Sequence, residues 1–147
     1  MTTSVSATLI VRRLIKASPE KLFAAWTRPE QLMQWWGPQG VQCSAAEIDL
    51  RAGGAYRIAN RFSDGTLVWI AGRFELVEPP ARLVYSWKLE TQTGPAERVT
   101  VRFEPRNGST EVIVTHERIA DEATRAGHES GWAGCLDKLA LFAGEPR

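Results

Sequence analysis

"ERVTVRFEPRNGSTEVIVTHERI", Glu97 to Ile119, is the stretch on which the fold turns. Two runs rich in Val, Ile, Thr and Phe flank Asn107-Gly108, a strong short-range hairpin signal. Side chains alternate across a strand, so parity sorts the faces. Val99, Val101 and Phe103 point one way; Arg98, Thr100 and Arg102 point the other. Across the turn, Val112, Val114 and His116 share a face opposed by Glu111 and Thr115, with Ile113 a partial exception. A hairpin with one apolar and one wet face needs something to cover the apolar side.

The cover comes next in the chain. "DEATRAGHESGWAGCLDKLALFAGE", Asp121 to Glu145, reads as one long helix. Asp121 supplies an N-cap, and Gly144 with Pro146 supplies the stop. His128, Trp132, Cys135, Leu136, Leu139 and Phe142 follow the spacing of a single helical stripe.

Towards the N-terminus the strand signal continues. "VQCSAAEIDL" (41–50), "RAGGAYRIANRF" (51–62), "LVWIAGRFELVE" (67–78) and "ARLVYSWKLE" (81–90) each read as strands. Asp64-Gly65 joins two of them tightly, and Pro79-Pro80 breaks two others apart. Leu83, Tyr85 and Trp87 line up against Arg82, Ser86 and Lys88, and Phe74 with Leu76 against Arg73 and Glu75. Tyr56 and Ile58 join the inner face if Gly53-Gly54 starts that strand in register. Trp69 falls on the wet face, which implies either a bulge or a shifted register.

Ahead of these strands lies a different pattern. "ATLIVRRLIKA" (7–17) reads as a first strand. "SPEKLFAAW" then opens a helix, with Ser18 at the N-cap, Pro19 at N1 and Glu20 at the positive end. Leu22, Phe23 and Trp26 are spaced to share its apolar face. "RPEQLMQWWGP" is a second short helix, begun at Pro29 and ended by Gly37-Pro38. The order is one strand, two short helices, six strands and one long helix. The expected class is α+β, a curved antiparallel sheet gripping its last helix.

Bulk properties exclude several function classes. The 147 residues suit one domain over 1–147. A net charge of +1, with Lys and Arg scattered, gives no electrostatic case for nucleic acid or an anionic membrane. The first residues lack the apolar core of a signal peptide, and no run approaches the roughly 20 apolar residues of a span. Two cysteines without metal-ligand spacing suit a reduced, cytoplasmic protein.

Several strings carry a family resemblance: "ASPEKLFAAWTRPEQLMQWWGP", "IDLRAGGAYR", "GRFELVEPPARLVYSW", "TVRFEPRNGSTEVIVTHE" and "GHESGWAGCLDKLALF". In this order they resemble the START-like helix-grip (SRPBCC) superfamily. More narrowly, they are similar to bacterial relatives of the C-terminal domain of the activator of heat-shock protein 90 ATPase. The resemblance implies a seven-stranded sheet around the C-terminal helix, with the two short helices between strands 1 and 2 closing one end. It also implies a hydrophobic pocket between sheet and helix, and no cofactor. A homodimer stays open.

The candidate lining of that pocket is Trp35, Trp36, Tyr56, Ile58, Phe74, Tyr85, Trp87, Val101, Phe103, Val114, His116, His128, Trp132 and Leu136. Trp35 and Trp36 are the end of the second short helix, where one ring can anchor and the other border the entrance. Large rings can equally fill such a space or wall it. His116 and His128 both point inward by parity and sit on adjacent elements. They offer either a polar end to an apolar pocket, suited to ligand hydrogen bonding or acid–base work, or two satisfied rim histidines bonded to backbone. Two histidines without a clear third ligand make a thin metal site, so no metal is assigned.

Other features point away from chemistry. Glu47, Asp49, Arg51 and Arg57 read as a solvated face with cross-strand ion pairs. There is no GxGxxG, GxxxxGK[ST] or GxSxG motif. Cys135 falls on the buried stripe and reads as inert; Cys43 stays open. The leading expectation is binding of a small, mostly hydrophobic molecule, with no catalytic residue assigned. The alternatives are a cyclase- or hydratase-like enzyme using His116 or His128, and a protein-interaction domain that regulates a chaperone.

Overall fold

The computed structural model describes residues 7–37 and 40–144. The elements run β1 (Ala7–Ile15), α1 (Pro19–Thr27), α2 (Pro29–Trp35), β2 (Val41–Ile48), β3 (Ala55–Phe62), β4 (Leu67–Glu78), β5 (Arg82–Leu89), β6 (Glu97–Arg106), β7 (Ser109–Ile119) and α3 (Glu122–Ala143). All seven strands form one antiparallel sheet in the order β1-β7-β6-β5-β4-β3-β2. The first strand closes onto the last, so the sequence-distant ends of the chain are neighbours. This is the helix-grip arrangement expected from the order of elements.

Local chemistry explains the boundaries. Ser18 Oγ accepts the Lys21 backbone N–H at the start of α1, and Asp121 Oδ1 accepts that of Thr124 at the start of α3. Each cap satisfies one of the amides a helix start leaves unpaired. Asn107 and Gly108 both have positive φ, 48° and 83°, which the tight β6–β7 turn requires. Pro38 and Pro146, expected to terminate α2 and α3, lie outside the described residues. Gly72 in β4 has space for no side chain: an added Cβ would sit 1.9 Å from Ser86 O and 2.8 Å from the Tyr56 ring. Its absence lets the β4 and β5 backbones close together beneath that ring.

The inner face is apolar and aromatic, as parity predicts for β5, β6 and β7. Two predicted positions differ. The β4–β5 register shifts between Phe74 and Leu76, so Val77 pairs with inward Leu83 and Leu76 pairs with outward Val84. A bulge inverts parity beyond itself, and Leu76 therefore leaves the inner face. In α3 the stripe ends on Leu139 and Ala143; Phe142 is 40% exposed, because it is rotated past the face that meets the sheet. Trp69 does lie on the outer face, in register, with the Arg57 guanidinium 4.0 Å over its ring. The bulge sits farther along the same strand.

α3 packs mainly on β1, with lesser contacts to α2, α1 and β7. The backbone of its first half stands off β3, β4 and β5, with His128 reaching across to Trp87, and that gap places the site. No helix among the described residues is long and apolar enough to cross a membrane.

Candidate ligand cleft and its buried Glu–His–His cluster

The paired tryptophans are both buried because the helix ends between them. Trp35 is the last residue of α2, while Trp36 has left it for an extended conformation. The ordinary helical offset between neighbours no longer applies. Trp35 Nε1 donates to Ala25 O at 2.9 Å and fixes α2 on α1. Trp36 Nε1 donates to Asn60 Oδ1 at 3.0 Å and fixes the chain on β3. The Trp36 ring meets Trp132 of α3 edge-on at 5.4 Å.

Trp36 also borders two spaces. On one side is a void of about 20 Å³ among Trp26, Leu32, Ile48, Tyr56, Ile58, Phe74, Tyr85 and Trp87, room for a water molecule at most. On the other is a cleft of about 250 Å³ walled by Trp36, Val41, Asn60, Phe62, Ile70, Trp87, Leu89, Gly127, His128, Gly131, Trp132 and Cys135. Of the predicted lining, Trp36, Trp87, His128 and Trp132 border the cleft, and Tyr56, Ile58, Phe74 and Tyr85 border the void. Trp35, Val101, Phe103, Val114, His116 and Leu136 sit in packed core and border neither. The grip is therefore filled beneath α1 and open beneath the first half of α3.

Behind His128, one of the cleft residues, lies a cluster that sequence reasoning only half anticipated. Glu97, the first residue of β6, is 4% exposed and points inward with Val99. Its Oε1 meets His116 Nε2 at 2.6 Å and His128 Nε2 at 3.0 Å. The two imidazoles stack at 4.5 Å, and Trp87 sets its ring at 5.1 Å and 4.9 Å from them. His116 is fully buried, and Trp132 Nε1 donates to its Nδ1 at 3.0 Å. The histidines are thus held by a carboxylate and an indole, not by backbone at the rim. The missed signal was the parity of Glu97 with Val99, Val101 and Phe103.

The protons in this cluster can be assigned. An indole N–H only donates, so His116 Nδ1 is an acceptor and its proton resides on Nε2, facing Glu97. An ionised carboxylate only accepts, so His128 likewise presents Nε2–H. Burial alone raises the Glu97 pKa, but the hydrogen bonds and charge of the histidines outweigh it and bring it down to about 2. Burial lowers the His116 pKa, with the charge of His128 adding and Glu97 opposing. The resting cluster is one carboxylate and a neutral His116.

One atom each from Glu97, His116 and His128 lie within 4.8 Å of one another, which supplies the third metal ligand that sequence reading lacked. The proton assignment weighs against a metal. A histidine that ligates through Nε2 carries its proton on Nδ1 and donates it outward. Here Nδ1 of His116 already receives a proton donor.

Buried hydroxyls elsewhere are paired. Tyr56 OH donates to Ser86 O, and Thr110 Oγ1 donates to Ala17 O. Neither cysteine forms a disulfide; burial pushes the Cys135 thiol up to about 12 and the Cys43 thiol to about 11, which disfavours a thiolate at either. Arg51 pairs with Asp49, and Arg57 with Glu90, as exposed ion pairs on the outer surface.

A curled sheet, a gripping helix and a cleft between them define a helix-grip protein. Residues 16–144 match the family described as "Activator of Hsp90 ATPase homolog 1-like protein", and the chain belongs to that family. Solved structures agree. Protein CV1439 from Chromobacterium violaceum is 26% identical with a TM-score of 0.87, covering 95% of this chain and 98% of its own. The AHSA1 (SPO3351) protein from Silicibacter pomeroyi is 29% identical with a TM-score of 0.82, covering 92% and 96%. An uncharacterised protein from Rhizobium leguminosarum is 31% identical with a TM-score of 0.78, covering 94% of each chain. No curated protein matches the chain.

Proposed function

We propose that this protein binds a small, mostly hydrophobic molecule in the cleft between β3–β5 and the first half of α3. The observation that carries the reading is the cleft itself, about 250 Å³, walled by three tryptophans and bordered by His128. An apolar cavity of about 150 Å³ accepts benzene, so this volume suits one or two rings. Burying roughly 200 Å² of such a ligand at about 25 cal/mol per Å² contributes roughly 5 kcal/mol before the cost of lost freedom.

Gly127 and Gly131 support the same reading. They lie one turn apart on the cleft side of α3, and an added Cβ at either would meet open space. A helix-interior glycine costs about 1 kcal/mol relative to alanine. Two of them here keep the cleft wide at the expense of helix stability.

The test is titration of the purified protein with one- and two-ring apolar compounds, read by tryptophan fluorescence, alongside native mass spectrometry of protein from its own host. Saturable quenching in the micromolar range is expected, and its loss in Gly131→Leu. The absence of any saturable response removes the binding reading.

A second reading, acid–base catalysis by His128, is favoured by one observation: its Nε2–H is oriented by a buried carboxylate, the arrangement that holds a catalytic imidazole in one tautomer. A protein-interaction role would need a filled interior under an exposed apolar patch. The cleft weighs against it.

A further inference from the structure

We propose that the occupant of this cleft is a hydroxylated aromatic or enolic compound whose O–H donates to Nδ1 of His128. The inference rests on the binding reading above and specifies its ligand class.

The argument begins at the far side of the ring. His128 Nε2 is bonded to Glu97 Oε1 and carries the proton, so in the neutral imidazole Nδ1 presents a lone pair. Nδ1 has no hydrogen-bond partner among the described residues. Every fully buried side-chain nitrogen and oxygen among them does have one, so Nδ1 is an accessible atom, and the space His128 borders is the cleft. Besides the tryptophan N–H groups, of which that of Trp87 has no partner among the described residues, the other polar side chain of the lining is Asn60. Its Oδ1 is occupied by Trp36 Nε1–H, which leaves its NH2 group, a donor. Nδ1 of His128 is therefore the imidazole or amide acceptor of the lining that has no partner among the described residues.

The surroundings select the rest of the molecule. Trp36, Trp87, Trp132 and Phe62 favour a flat ring system by stacking and edge contacts. The Glu97 carboxylate behind His128 strengthens the ring as an acceptor and disfavours a ligand that is already an anion. A neutral ring hydroxyl meets both conditions: it donates one proton and adds no charge.

The experiment compares 2-naphthol with its methyl ether, which has the same ring and no O–H, by isothermal calorimetry at neutral pH. The naphthol is expected to bind about tenfold more tightly, the worth of one hydrogen bond in a desolvated site. In His128→Phe, which keeps a ring beside Trp87, the two compounds are expected to bind equally. Equal binding of both to the wild-type protein, or tighter binding of the ether, overturns the hydroxyl assignment and leaves the cleft reading intact. Binding of neither overturns the cleft reading, and this inference with it. The wild-type comparison alone decides the matter if the variant fails to fold.

Discussion

Trp132 Nε1 donates a hydrogen bond to Nδ1 of fully buried His116 at 3.0 Å. That one contact joins α3 to β7 and decides which nitrogen of His116 holds the proton. Long-range nitrogen–proton NMR correlations should show His116 as the Nε2–H tautomer at neutral pH. Trp132→Phe removes the donor and part of the ring volume, and should cost about 2 kcal/mol or more in a urea unfolding curve. It should also let the proton move to Nδ1 and leave Nε2 available to a cation. Zn2+ is then expected to raise the Tm of the variant more than that of the wild type; a larger rise in the wild type contradicts the assignment.

The cluster should make the protein acid-sensitive in two stages. His116 has a folded pKa below its ordinary 6.5, so the unfolded chain takes up the proton first, and stability falls as pH drops below about 6.5. Glu97 has a folded pKa of about 2 against an ordinary 4.5, so its contribution is present above 4.5 and is lost as pH falls towards 2. His116→Gln can keep both hydrogen bonds, with its amide oxygen facing Trp132 and its NH2 facing Glu97. Thermal denaturation against pH should show the upper stage missing in that variant and the lower stage retained. An unchanged upper stage would assign it to other groups.

The two cleft glycines should separate stability from binding. Gly131→Ala improves helix propensity and meets no atom within 4 Å, so it should stabilise the fold by up to about 1 kcal/mol. Gly131→Leu keeps the propensity gain but fills the cleft, and should abolish the fluorescence response to added ring compounds. Denaturant unfolding and ligand titration on the same samples check both halves.

Asn60 holds Trp36 in place across the end of α2. Asn60→Leu leaves a buried indole N–H without its acceptor and should destabilise the protein by about 1–3 kcal/mol. The Trp36 emission should shift as the ring loses its fixed position between void and cleft. A variant as stable as the wild type would show that the bond does not position the ring.

Much of this architecture was legible in order and parity. The Asn107-Gly108 turn, the alternation of Val99, Val101 and Phe103, and the stripe from Trp132 to Leu139 are local patterns, and local geometry is what sequence encodes directly. Leu76 was misplaced because a bulge leaves no mark in hydrophobic alternation. Phe142 was misplaced because its spacing fitted the stripe while the buried face of the last turn runs through Leu139 and Ala143 instead.

What the sequence determined by itself is the helix-grip scaffold: caps, turns and face periods are set by neighbours within a few residues. What only the tertiary structure decided is the site. Glu97 carries a charge at a strand start, where such residues are mostly solvated; its parity with Val99 turns it inward, but nothing within β6 supplies the partners that a buried charge needs. It becomes a buried acceptor because β7 and α3, 19 and 31 residues further on, bring two imidazoles to one of its oxygens. Whether large rings fill a space or wall it depends on how far α3 stands from β3–β5, a distance no run of residues records.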